Sequence, residues 1–136
     1  MRRRLLLLYQ VCFGLSDTLT GTLLVAAPGF ALGLMGLRAP AGAGVFLSYI
    51  GAFVLAVGLS CLYGVALMAS GGNRLRLEEV WLLTAIPRAC VAAFVLWQVA
   101  SGGLEGGWLT VAATDGFCVL VQAVGLRRGW LAYVER

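Results

Sequence analysis

Histidine and lysine are both absent from this chain. Its charge rests on ten arginines and six acids. Without histidine there is no candidate for the commonest general base, the commonest metal ligand or the usual haem ligand. The four cysteines, Cys12, Cys61, Cys90 and Cys118, stand singly in apolar stretches with no CxxC pair, so no disulfide framework is written here. One cysteine per apolar stretch raises the idea of a four-thiolate site. Helical angles argue against it. Cys12 lies about 140° from Asp17 and Cys90 about 160° from Arg88 at 100° per residue. No metal and no cofactor is expected.

Charge is scarce altogether. Charged residues make up 12% of the 136 and hydrophobic ones 61%. A soluble domain carries about twice that share of charge. A chain of this size has no core able to hide so much apolar surface, so lipid must be the solvent for much of it. One membrane domain over residues 1–136 fits the length. The net charge of +4 does not point to nucleic acid, because the arginines sit at the ends of apolar runs rather than along one soluble face. That is the placement of topogenic charge.

Four stretches reach the roughly 20 apolar residues that a spanning helix needs: residues 5–27, 44–69, 80–100 and 108–126. Pro28-Gly29, Ser70-Gly71-Gly72-Asn73 and Ser101-Gly102-Gly103 punctuate them, as breakers do at helix ends. Arg2, Arg3 and Arg4 precede the first span, Arg74 and Arg76 separate the second from the third, and Arg127, Arg128 and Arg136 follow the fourth. An even number of spans puts these groups on one side and leaves Arg38 on the other. The expectation is an all-α, four-helix bundle of up-down-up-down topology. It would sit in a bacterial-type inner (cytoplasmic) membrane with both termini in the cytoplasm. Tyr9, Tyr63, Trp81, Trp130 and Tyr133 then fall toward the inner interface, and Tyr49, Trp97 and Trp108 toward the outer one. Arg2 to Arg4 before Leu5 to Leu8 also resemble the start of a signal peptide. Tyr9, Gln10 and Asp17 interrupt that pattern, and the uncleaved reading is favoured. The segment 28–43 is apolar but broken by Gly29, Gly33, Gly36, Pro40 and Gly42. It reads either as an outer interfacial segment, with Phe30, Leu34, Met35 and Leu37 in lipid, or as a long loop.

Gly44, Ser48, Ala52, Ala56, Ser60 and Gly64 recur every fourth residue along the second span. Small residues let helix backbones approach where no hydrophobic effect drives association. The stripe would pack against other helices of the chain or against a second copy.

Asp17, Arg88 and Asp115 are the charges deep inside three separate spans. Ionisable groups in hydrocarbon are costly and persist when paired, hydrated or functional. From the helix rise, Asp17 lies about 20 Å from Arg4, Asp115 about 18 Å from Arg127, and Arg88 about 14 Å from Glu79. An upward-reaching arginine could join both aspartates. Gln10 shares a face with Asp17, Thr84 lies one turn from Arg88, and Gln122 shares a stripe with Asp115 and Cys118. Pro87 removes a backbone donor beside Arg88, so a kink or a freed carbonyl is expected near residue 83. Two readings stand side by side. The cluster is a clamp that fixes helix order, or it lines a polar cavity for a ligand, proton or cation.

Four short spans, the Pro28-Gly29 break, Arg88 early in the third span and Asp115-Gly116 in the fourth resemble DoxX-like small membrane proteins. The resemblance covers most of the chain and implies the four-helix fold. Some members of that group are similar to quinone-linked subunits of thiosulfate oxidation. On function, the first reading is an accessory or structural subunit in a membrane complex. Its partners would be the lipid bilayer, other membrane subunits or itself. The alternative is a binder or transporter of a small ligand, proton or lipophilic, quinone-like molecule through the Asp17–Arg88–Asp115 cavity. An enzyme is the third reading: without histidine, a nucleophile elbow or a metal motif, little is left to carry chemistry.

Overall fold

The computed structural model describes residues 2–71 and 73–133. Gly72, read as part of a helix breaker, and Arg136, read as a topogenic charge, lie outside the described residues. Within them every regular element is helical. The long helices are α1 (Arg2–Ala26), α3 (Gly44–Ala69), α4 (Arg74–Ala100) and α5 (Leu109–Arg127). A short α2 (Pro28–Leu34) follows α1, and single 3₁₀ turns occupy Gly106–Trp108 and Trp130–Tyr133. Among the described residues three segments are long and apolar enough to cross a membrane: Gly44–Ala69, Arg74–Ala100 and Gly106–Arg127. The α1 helix is not among them. Its 25 residues are long enough at about 37 Å, but Gln10, Asp17, Thr18, Thr20 and Thr22 dilute its apolar character.

The chain divides into two compact units, Met1–Ala66 and Leu67–Arg136. In the first, α1 and α3 run antiparallel. Gln10 meets Cys61, Gly14 meets Leu62, Thr18 meets Gly58, and Gly21 meets Leu55 and Gly51. Farther along, Ser48 Oγ donates to the Val25 carbonyl at 3.1 Å. The approach is so close that a Cβ on Gly58 would fall 2.5 Å from the Thr18 backbone nitrogen, and one on Gly51 2.8 Å from that of Val25. Real side chains do not tolerate such contacts with backbone. The helices touch main chain to main chain, as dispersion-driven packing in lipid favours.

After α1 the chain turns at Ala27 and restarts with Pro28 in the first turn of α2, where its missing N–H costs nothing. The α2 helix stops in a Schellman motif: Leu37 N–H donates to Leu32 O at 3.0 Å and Gly36 N–H to Gly33 O at 3.0 Å. Gly36 takes φ 71°, a conformation that favours glycine. Leu37 is buried beside it, while Phe30 and Leu34 face outward. Segment 28–43 is thus half helix. Of the four residues assigned to lipid, Leu37 turns inward.

In the second unit α4 begins six residues earlier than the apolar pattern indicates, at Arg74 rather than Val80. The Asn73 side chain caps it by accepting from Leu75 N–H at 2.8 Å, and Arg74 pairs with Glu78 one turn on at 2.6 Å. Cap and i,i+4 pair together stabilise a charged first turn, so Glu78 and Glu79 lie within the helix. The helix continues through Pro87, which leaves the Leu83 carbonyl without its helical donor. Trp81 is fully buried. It packs on the face of α4 that carries Thr84 and Arg88. A Cβ on Gly125 of α5 would lie 2.5 Å from its ring.

Candidate functional site

The α4 residues Leu77, Trp81, Thr84, Arg88, Ala92 and Val95 form one buried stripe. It faces Ala112, Cys118, Gln122 and Gly125 of α5. Successive contacts pair rising numbers on one helix with falling numbers on the other: Trp81 with Gly125, Thr84 with Gln122, and Arg88 with Asp115. The seam is an antiparallel ladder of an aromatic, a neutral polar and an ionic rung. The polar rungs are about 6 Å apart along α4.

The ionic rung is a charge-assisted bond from Arg88 Nη1 to Asp115 Oδ1 at 2.6 Å, with the side chains only 4% and 16% exposed. Such a bond is short and strong. Its low exposure limits competition from water. In the neutral rung Gln122 Nε2 donates to Thr84 Oγ1 at 2.8 Å. Thr84 in turn donates within its own helix, to Val80 O at 2.8 Å. Gln122 is 1% exposed, and its Oε1 accepts no hydrogen bond among the described residues. A buried acceptor left open costs free energy unless a donor reaches it.

Of the residues singled out in the sequence, Arg88 and Asp115 come together, and so do Thr84 and Gln122. Asp17 and Gln10 belong to the first unit. Gln10 is buried against α3 and donates from Nε2 to Cys61 O at 3.1 Å. Asp17 is half-buried on α1, its backbone beside Gly58. Cys61 and Cys118 are buried, Cys12 and Cys90 exposed.

The small-residue stripe is spread differently from its reading. Gly44, Ala52, Ala56 and Ser60 are exposed, Ser48 is half-buried and Gly64 is buried. Each four-residue step advances about 40° around the helix, so six members turn through about 200° and cannot share a face. Ser48 of the stripe does reach α1 through Val25, but the closest approach is made by Gly51 and Gly58 on α3 and by Gly14 and Gly21 on α1. Both pairs are seven residues apart, a step that drifts only about 20°. That matched spacing was present in the sequence and is the signal that finds the face. Trp81 against Gly125 carried no comparable signal.

Set against protein-family models, curated proteins and solved structures, the chain matches none of them.

Proposed function

We propose that the protein is a four-span integral membrane protein, up-down-up-down with both termini cytoplasmic, in a bacterial-type inner membrane. In this reading it serves as an accessory or structural subunit that packs against other membrane helices or a second copy of itself. The three spanning-grade helices support membrane integration. With α1 as the fourth span, the arginine-rich ends fall on one side. The likeness to DoxX-like proteins belongs to this proposal and rests on Pro28-Gly29, Arg88 and Asp115-Gly116.

The observation that carries the reading is how the chain uses its polar groups. Arg88 is tied to Asp115 within the α4–α5 hairpin, as a clamp requires. Meanwhile Ala52, Ala56 and Ser60 present a small, exposed surface on α3 of the kind a partner helix can approach. Mass measurement in mild detergent tests this. A second copy or a stoichiometric membrane partner is expected, and it is lost when Ala52 and Ala56 become Leu. A lone chain, unchanged by those substitutions, contradicts the reading.

One observation favours the second reading, a small-ligand binder. The open acceptor Gln122 Oε1 lies in the seam one rung from Arg88, and a ligand bearing a hydroxyl or N–H group would complete it. Asp17 is the third charge of that reading on sequence grounds alone. Gln122→Leu then keeps the fold and loses a co-purifying small molecule. Unchanged co-purification counts against it.

A further inference from the structure

Two segments bring arginines to one end of the α4–α5 hairpin. Arg74 and Arg76 lie in the first turn of α4, and Arg127 and Arg128 close α5. Antiparallel packing places these ends together, and one contact fixes how closely. Arg74 Nη2 lies 3.9 Å from the Cβ position of Gly129, the residue directly after Arg128. Gly129 takes φ 61° and turns the chain into the 3₁₀ turn that begins with Trp130. The Trp130 ring then rests at the mouth of the seam, 3.0 Å from the Cβ position of Gly125, and stays half-buried.

Among the described residues this end carries more arginine than acid. Glu78 is engaged by Arg74 at 2.6 Å. Arg76, Arg127 and Arg128 are exposed, and among the described residues none of them has an acidic partner. Among the described residues, Glu79 is the acid left nearby to offset three guanidinium groups. Charges that merely set topology need no common position. These share one, beside an aromatic ring whose apolar body and N–H tip suit the glycerol depth of a bilayer.

We infer that this end of the α4–α5 hairpin binds the headgroup of an anionic phospholipid. Arg76, Arg127 and Arg128 meet the phosphate, and Trp130 sits at the level of the glycerol. The inference rests on reading α4 and α5 as membrane-spanning. Guanidinium forks match phosphate oxygens in pairs, and the headgroup of a lipid at the mouth of the seam is within their reach.

The test uses the full chain, purified in mild detergent and stripped of lipid. It is offered phosphatidylglycerol and phosphatidylcholine with identical acyl chains, and retained adducts are counted by native mass spectrometry. A preference for phosphatidylglycerol is expected. It should fall about fivefold for each of R76Q, R127Q and R128Q, the equivalent of roughly 1 kcal/mol per arginine near the surface. R38Q, at the other end of the chain's charge pattern, should leave it unchanged. Equal retention of the two lipids by the unaltered protein overturns the inference. So does an unchanged preference in R127Q/R128Q with unaltered circular dichroism. Should that double variant fail to fold, R76Q decides by the same criterion. Full displacement of the lipid by millimolar inorganic phosphate would mark a free-anion site and also overturn it. The membrane reading fails separately: release of the protein from membranes by alkaline carbonate would sink that reading before any lipid is compared.

Discussion

The two units of this chain solve one problem in different ways. Between α1 and α3 the helices meet through missing side chains: Gly21, Gly51 and Gly58 let main chain touch main chain, and Gly14 makes room for the Leu62 side chain. Between α4 and α5 they meet through side chains: Trp81 over Gly125, Thr84 to Gln122, and Arg88 to Asp115. Glycine contact is unspecific in chemistry but strict in space, since nothing larger than hydrogen fits. A polar ladder is looser in space but strict in chemistry, since each rung needs its partner. Steric substitutions should therefore damage the first unit most, and polar deletions the second.

The largest steric effect is expected at Gly58. A valine there meets the backbone of Thr18 and must push α1 away, so Gly58→Val should lose about 3 kcal/mol, the upper end for overpacking. Denaturant titration of the detergent-solubilised protein, followed by circular dichroism, reads it. Gly125→Val should cost less, about 1–2 kcal/mol, toward the lower end for overpacking, because it meets the edge of the Trp81 ring rather than main chain. An equal loss at both sites would erase the distinction between the units. Thr84→Val removes the acceptor of one neutral rung. It should cost about 0.6 kcal/mol, the usual scale of a hydrogen bond between membrane helices. The smallest effect belongs to Ala56→Leu, on the exposed side of α3. The stability of the single chain should shift by no more than about 0.5 kcal/mol, whatever happens to its association.

Much of the outline was legible in the sequence, for reasons that differ by element. The limits of α3 follow from a long apolar run closed by Ser70 and Gly71, and the structure has them at Gly44–Ala69. The start of α4 did not follow, because hydropathy cannot see a helix that extends past its apolar part. The signal lay in Asn73 as a cap and in the Arg74–Glu78 spacing. Angular reasoning placed Asp115, Cys118 and Gln122 on one stripe, and the last two are fully buried there. The same reasoning, applied to the fourfold repeat in α3 without its drift, picked an arc instead of a face. The sequence places Trp81 toward the inner interface and does not say what covers it. Its burial depends on Gly125, 44 positions away in the sequence, and no local pattern announces that pairing.

Stability of the Arg88–Asp115 double-mutant cycle tests the clamp most directly. Arg88→Leu and Asp115→Leu should each cost about 3–5 kcal/mol, because either leaves a buried charge uncompensated, whereas the double substitution should recover most of that loss. If the single variants were as stable as the parent, or if the double loss equalled the sum of the two, the ionic rung would not be what joins α4 to α5.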